Sequence, residues 1–146
     1  MDTATQIRIA YITTLSGLEY KGKIIPVFDE QVIKGVPLPA IDRAEEVYIL
    51  LQGQQTIDDS TQTFCDYRLI SDMTVKVVTK FMGDSNKSIC EAIGNLINDR
   101  LREGRDKSKV AGINKIRCDV SRSIIETSVS HTAFSKVLIY RNYINK

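Results

Sequence analysis

The sequence has no tryptophan and a single histidine, His131, in 146 residues. It has three cysteines, Cys65, Cys90 and Cys118, which are odd in number, far apart and free of any CxxC pair. A zinc site or a disulfide framework is therefore not expected, and reduced thiols of a cytosolic setting fit the pattern. No GxxxxGK[ST] and no GxGxxG occurs, so no phosphate cradle is signalled. Charge of one sign is also missing. Twenty basic residues stand against 18 acidic ones, for a net charge of +2. Such a balance does not imply strong nonspecific nucleic-acid binding. The opening "MDTATQIRIAYITTLSG" lacks a basic region followed by a long apolar run, so neither a signal peptide nor a membrane-spanning segment is expected, and no membrane partner. No internal repeat or low-complexity tract is visible.

What is present is ordinary in amount and ordered in pattern. The hydrophobic fraction is 42% and the charged fraction 26%, enough apolar material for one domain over residues 1–146. Ala4, Ile7, Tyr11 and Leu15 recur at helical spacing, with Asp2 or Thr3 as the start and Gly17 as the stop. "LEYKGKIIPVFDEQV" reads as an extended strand that Pro26 bends or confines to an edge. Pro37 and Pro39 then mark an extended loop. "EVYILLQG" is a strand whose apolar residues are consecutive, as expected when both faces are buried. The polar run after it, residues 52–64, reads as a protruding loop or a strand extension past the core.

"DYRLISDMTVKVVTKF" alternates, with Met73, Val75, Val77 and Phe81 on one face and Asp72, Thr74, Lys76 and Lys80 on the other. Ile89, Ala92, Ile93, Leu96, Ile97 and Leu101 form the stripe of an amphipathic helix. Asp84 or Ser85 is expected to cap that helix and Gly104 to end it. Two more strands follow. The first alternates at Ile116, Cys118 and Val120, which makes Cys118 an expected small core residue. The second is apolar on both faces at residues 137–140. The order α-β-β-β-α-β-β predicts an α+β fold, a mainly antiparallel sheet packed against two helices.

Catalytic chemistry is thin. His131 sits in the turn "SVSHTAFS" near Ser128 and Ser130, but no spacing supplies the carboxylate that a triad needs. The acidic pairs Asp29–Glu30 and Asp58–Asp59 read as solvated, with no metal ligand set. No catalytic residue, metal or cofactor is expected. The densest basic cluster, Arg100, Arg102, Arg105, Lys107 and Lys109, is the candidate contact for DNA or an acidic partner, without the interleaved aromatics of a single-strand binder. A small sheet with helices on one face should leave the other face wet. Apolar residues in excess of one face therefore suggest subunit contact. The candidate interface set is Val47, Tyr48, Ile49, Gln52, Gln54, Gln55, Ile57, Val137, Ile139 and Tyr140.

The order of elements resembles the tail-completion and tail-terminator proteins of tailed bacteriophages and related neck-ring proteins. The resemblance runs over roughly residues 3–143. It is carried by "VPLPAIDRAEEVYILL" followed by "QGQQTIDD", then "MTVKVVTKF", then "SICEAIGNLINDRL". The segment from Lys109 onward is longer than in the simplest members. The resemblance implies a non-enzymatic virion protein, made in the host cytoplasm, that forms a hexameric or dodecameric ring at the neck or tail end. It implies portal-adaptor, neck or tail proteins as neighbours and DNA passing through the lumen without sequence-specific contact. The alternative is a small nucleic-acid-binding or adaptor domain using the basic cluster. An enzyme centred on His131 is a third reading.

Overall fold

The computed structural model describes residues 3–58, 68–82, 87–103, 113–127 and 130–145. The fold is α+β, with two helices and a mostly antiparallel sheet. Helix α1 spans Thr3–Leu15 and buries Ile7, Tyr11 and Leu15. Gly17 ends it at φ 77°, a left-handed conformation that glycine adopts without Cβ strain.

The stretch read as one strand after α1 is three short pieces. β1 (Glu19–Tyr20) and β2 (Lys23–Ile24) pair antiparallel around Lys21 and Gly22, both at positive φ, as a tight hairpin turn requires. Pro26 then breaks the run, and β3 (Val27–Asp29) begins. β3 pairs in parallel with β4 (Ala44–Asp58), from Val27 opposite Ile49 to Asp29 opposite Leu51. A parallel pair needs a crossover rather than a tight turn. Residues 30–43 supply it, placing Val32 and Leu38 against Phe28, Tyr48 and Val78.

β5 (Arg68–Phe81), β6 (Ile113–Thr127) and β7 (Thr132–Asn145) complete a five-stranded sheet of order β3-β4-β5-β7-β6. The expected polar extension of β4 is a strand as far as Asp58, still in register with β5 down to Leu69. Residues 59–64 lie outside the described residues. Helix α2 (Ser88–Glu103) lies over the sheet and buries Ile89, Cys90, Ile93, Ile97 and Leu101. Its expected caps, Asp84, Ser85 and Gly104, lie outside the described residues. Gly94 lets α2 approach β7, since a Cβ there would sit 3.3 Å from Lys136 Cγ.

Alternation then divides the sheet into two faces. Under the helices lie Val47, Ile49 and Leu51 of β4, Met73, Val75, Val77 and Phe81 of β5, and Phe134, Leu138 and Tyr140 of β7. Cys118 does not join them as expected. It is exposed, because β6 is the outermost strand and α2 packs mainly over β5 and β7. A register shift between Cys118 and Val120 changes which residues of β6 share a face.

Candidate subunit interface on the open sheet face

The covered face is closed by polar contacts as well as apolar ones. The Tyr11 hydroxyl lies 2.5 Å from Asn142 Oδ1, and Asn142 Nδ2 donates to Ser71 O at 2.8 Å. Burial pushes the Tyr11 and Tyr140 hydroxyls well above the usual tyrosine range, so both stay protonated. The Tyr140 hydroxyl donates to Asn98 of α2. Arg8 of α1 reaches Asp29, Gln52 O and Leu51 O, tying α1 to β3 and β4. Glu91 of α2 accepts from Lys136 and Ser123, each at 3.0 Å, and these donors hold its carboxyl below the usual range. Among the described residues no buried side-chain polar atom lacks a partner.

Five residues of the expected interface set, Val47, Tyr48, Ile49, Val137 and Tyr140, are already buried within this chain. Val47 and Ile49 are fully buried and Tyr140 nearly so, all within the core under the helices. Consecutive apolar residues on β4 and β7 fill both faces of the sheet, and one of those faces belongs to this chain's own helices. Tyr48, Val137 and Ile139 belong to the other face, while Gln52 falls in the register irregularity of β4, where its carbonyl accepts from Arg8. Gln54, Gln55 and Ile57 lie on the β4 extension, opposite Met73, Asp72 and Ile70.

Among the described residues, no helix covers that other face. Near β3 it is sheltered by the 30–43 crossover, where Phe28 and Tyr48 meet edge to face at 6.0 Å between ring centres. Toward β6 it carries Val137 and Ile139, flanked by Lys76, Arg122 and Ile124 in neighbouring register. Val137 is only 5% exposed even here. The charges of this face pair across strands. Arg141 grips both oxygens of Asp72 at 3.0 and 3.3 Å, Lys80 lies 3.4 Å from Glu46, and Lys76 lies 4.0 Å from Glu126. Opposed charges on adjacent strands add a few tenths to about 1 kcal/mol each. They also mute the local field, leaving an apolar centre with a largely neutralised polar surround.

No protein-family model matches the chain, and no curated protein matches it. Its functional reading rests on its own residues.

Of the basic cluster, only Arg100 and Arg102 lie within the described residues. Arg100 Nη1 lies 3.3 Å from both Thr14 O and Ser16 O, so its guanidinium closes the end of α1. A cation suits that position, where helix carbonyls lack partners. Arg102 is exposed, and Arg105, Lys107 and Lys109 lie outside the described residues. His131 lines a pocket of about 430 Å³ with Glu46, Lys80, Glu126, Thr127 and Ala133. Its Nδ1 lies 2.7 Å from Ser130 Oγ, and both residues are exposed. The pocket thus brings the Glu46 carboxylate near His131 from a strand distant in sequence, which no spacing could reveal, beside Glu126 from the adjoining β6. Glu46 is already engaged with Lys80, and among the described residues no three His, Cys, Asp or Glu side chains gather to hold a metal. Among those residues, too, no helix is long and apolar enough to cross a membrane.

Proposed function

We propose that this chain is a ring-forming structural subunit of a tailed-phage virion, set at the head–tail neck or the tail end. There it connects or closes the DNA channel and performs no catalysis. The observation that carries self-association is the sheet face that bears no helix among the described residues, where Ile139 stays half-buried beside the buried Val137. Apolar residues held on a helix-free face favour contact with another surface. The virion setting rests on the resemblance in element order. The β4–β5 extension beyond the β3 pairing supports it as an arm able to reach a neighbour. Near-neutral net charge suits a lumen through which DNA passes without sticking. Neighbouring partners in this reading are other neck, portal-adaptor or tail proteins.

Native mass spectrometry with class averages from negative-stain images tests the reading. Closed rings of six or twelve copies are expected. A protein that stays monomeric from micromolar to millimolar concentration overturns it. The second reading, a nucleic-acid or adaptor domain, loses support because Arg100 is committed to α1.

A further inference from the structure

The lateral edges of the sheet are unequal, and among the described residues neither is fully paired. β6 runs for 15 residues and, among the described residues, pairs on one side only, with β7. At the opposite edge, β3 covers β4 only at Ile49, Leu50 and Leu51. Along residues 52–58 the outer side of β4 has no strand beside it among the described residues. Unpaired strand edges present rows of N–H and C=O groups that template another strand, and proteins commonly blunt them with proline, brevity or a covering segment. β6 contains no proline and is one of the two longest strands.

Strand direction decides how the two edges can meet. β4, β5, β7 and β6 alternate, each antiparallel to the next. Their number is even. A second copy rotated about an axis along the strands therefore presents its β4 antiparallel to β6 of the first. Repeating the operation consumes one edge of each kind per contact, which is the head-to-tail geometry that closes into rings. Charge favours this over two β6 edges meeting. β6 carries Lys115, Arg117 and Arg122 against two acids, whereas the 52–58 stretch of β4 carries one acid, Asp58, and no basic residue. Like-signed strands placed opposite each other are disfavoured.

We infer that the free edge of β6 receives the β4 arm, residues 52–58, of a second copy of this chain as an added antiparallel strand. The inference deepens the ring reading and rests on it for self-association.

Proline substitution tests it, because successive residues of an antiparallel strand point their N–H groups to opposite sides. Of Ser121→Pro and Arg122→Pro, one removes an outward N–H and the other a bond to β7. The variant that keeps its melting temperature is the edge-blocked one. Gln55→Pro and Thr56→Pro divide the same way on the arm. Each edge-blocked protein is expected to be monomeric at concentrations where the unmodified protein assembles. A mixture of the two is expected to form a one-to-one dimer that grows no further, since one usable edge of each kind remains. Should both prolines of a pair unfold the chain, Ile125→Lys on β6 takes their place. It sets a lysine at an exposed edge position and is expected to weaken assembly at least tenfold. Edge-blocked proteins that still assemble overturn the inference and leave the ring reading standing. A mixture that stays monomeric overturns the head-to-tail pairing. An unmodified protein that never assembles overturns both.

Discussion

The two faces of the sheet are built from the same strands, one residue out of step, yet they obey different rules. On the face under α1 and α2, Tyr11, Asn142, Ser71, Tyr140 and Asn98 bind one another. On the other face, charged side chains meet across strands and stay partly wet, as at Arg141–Asp72, around apolar residues that no helix among the described residues shields. The first arrangement tolerates little change, because a buried polar atom without a partner is costly. The second can be rearranged cheaply within the monomer, so its composition is free to answer to something outside it. That contrast separates residues kept for folding from residues available for assembly.

Truncation on each face is the strongest way to break this contrast. Ile93→Ala removes a fully buried side chain of α2 and is expected to cost about 2–5 kcal/mol in chemical denaturation. Ile139→Ser on the open face is expected to cost the monomer about 1 kcal/mol or less while weakening association. Equal losses in the two variants would mean that the open face is as much a part of this chain's core as the covered one.

The buried polar network gives the next largest effect. Asn142→Ala takes away the partner of the Tyr11 hydroxyl and a donor to Ser71 O. A stability loss of about 1–3 kcal/mol is expected by calorimetry. Asn142→Ala combined with Tyr11→Phe should lose less than the sum of the two single changes, because the second change removes the orphaned hydroxyl. Additive losses would show that the pair is not coupled.

The fold was largely legible because its signals are local. The α2 stripe at Ile89, Ile93, Ile97 and Leu101 and the alternation of β5 are set by helical and strand periods alone. The hairpin at Lys21–Gly22 and the parallel β3 were missed. The run around Pro26 is apolar on both sides of the break, and pairing between residues 27 and 49 leaves no periodic trace. The same limit governs the site. Consecutive apolar residues announce two buried faces but not which face a helix will cover, so the sequence alone does not separate Val47, Ile49 and Tyr140 from Tyr48 and Val137. Cys118 alternates like a core residue, but only strand order reveals that its strand is outermost. Arg100 sits among basic residues in sequence, and its contact with Thr14 and Ser16 spans more than eighty positions.

Arg100 sharpens the contrast between folding and assembly from the charged side. Arg100→Ala is expected to destabilise the chain by about 1 kcal/mol, since two carbonyls at the end of α1 lose a charged donor. It should leave any salt-dependent DNA retention on a filter unchanged. A loss of retention without a change in melting temperature would return Arg100 to the basic cluster as a contact residue.

The smallest expected effect lies at the rim of the covered face, where Glu91 of α2 meets Lys136 of β7 and Ser123 of β6. The hydrogen bond from Lys136 is the chief reason that the carboxyl titrates below its ordinary value of 4.5. A carboxyl whose folded value is depressed contributes stability that is fully present above the unfolded value. That contribution fades as pH falls through the folded one. The unmodified protein should therefore exceed Glu91→Gln in stability near neutral pH, and the gap should close as acid protonates Glu91. Salt should narrow the neutral-pH gap as well, because the pair is partly exposed and screened. A gap that persists unchanged into acid would mean that Glu91 holds α2 to the sheet through shape and neutral hydrogen bonding. The rim would then follow the rules of the covered face and not those of the charged pairs on the open one.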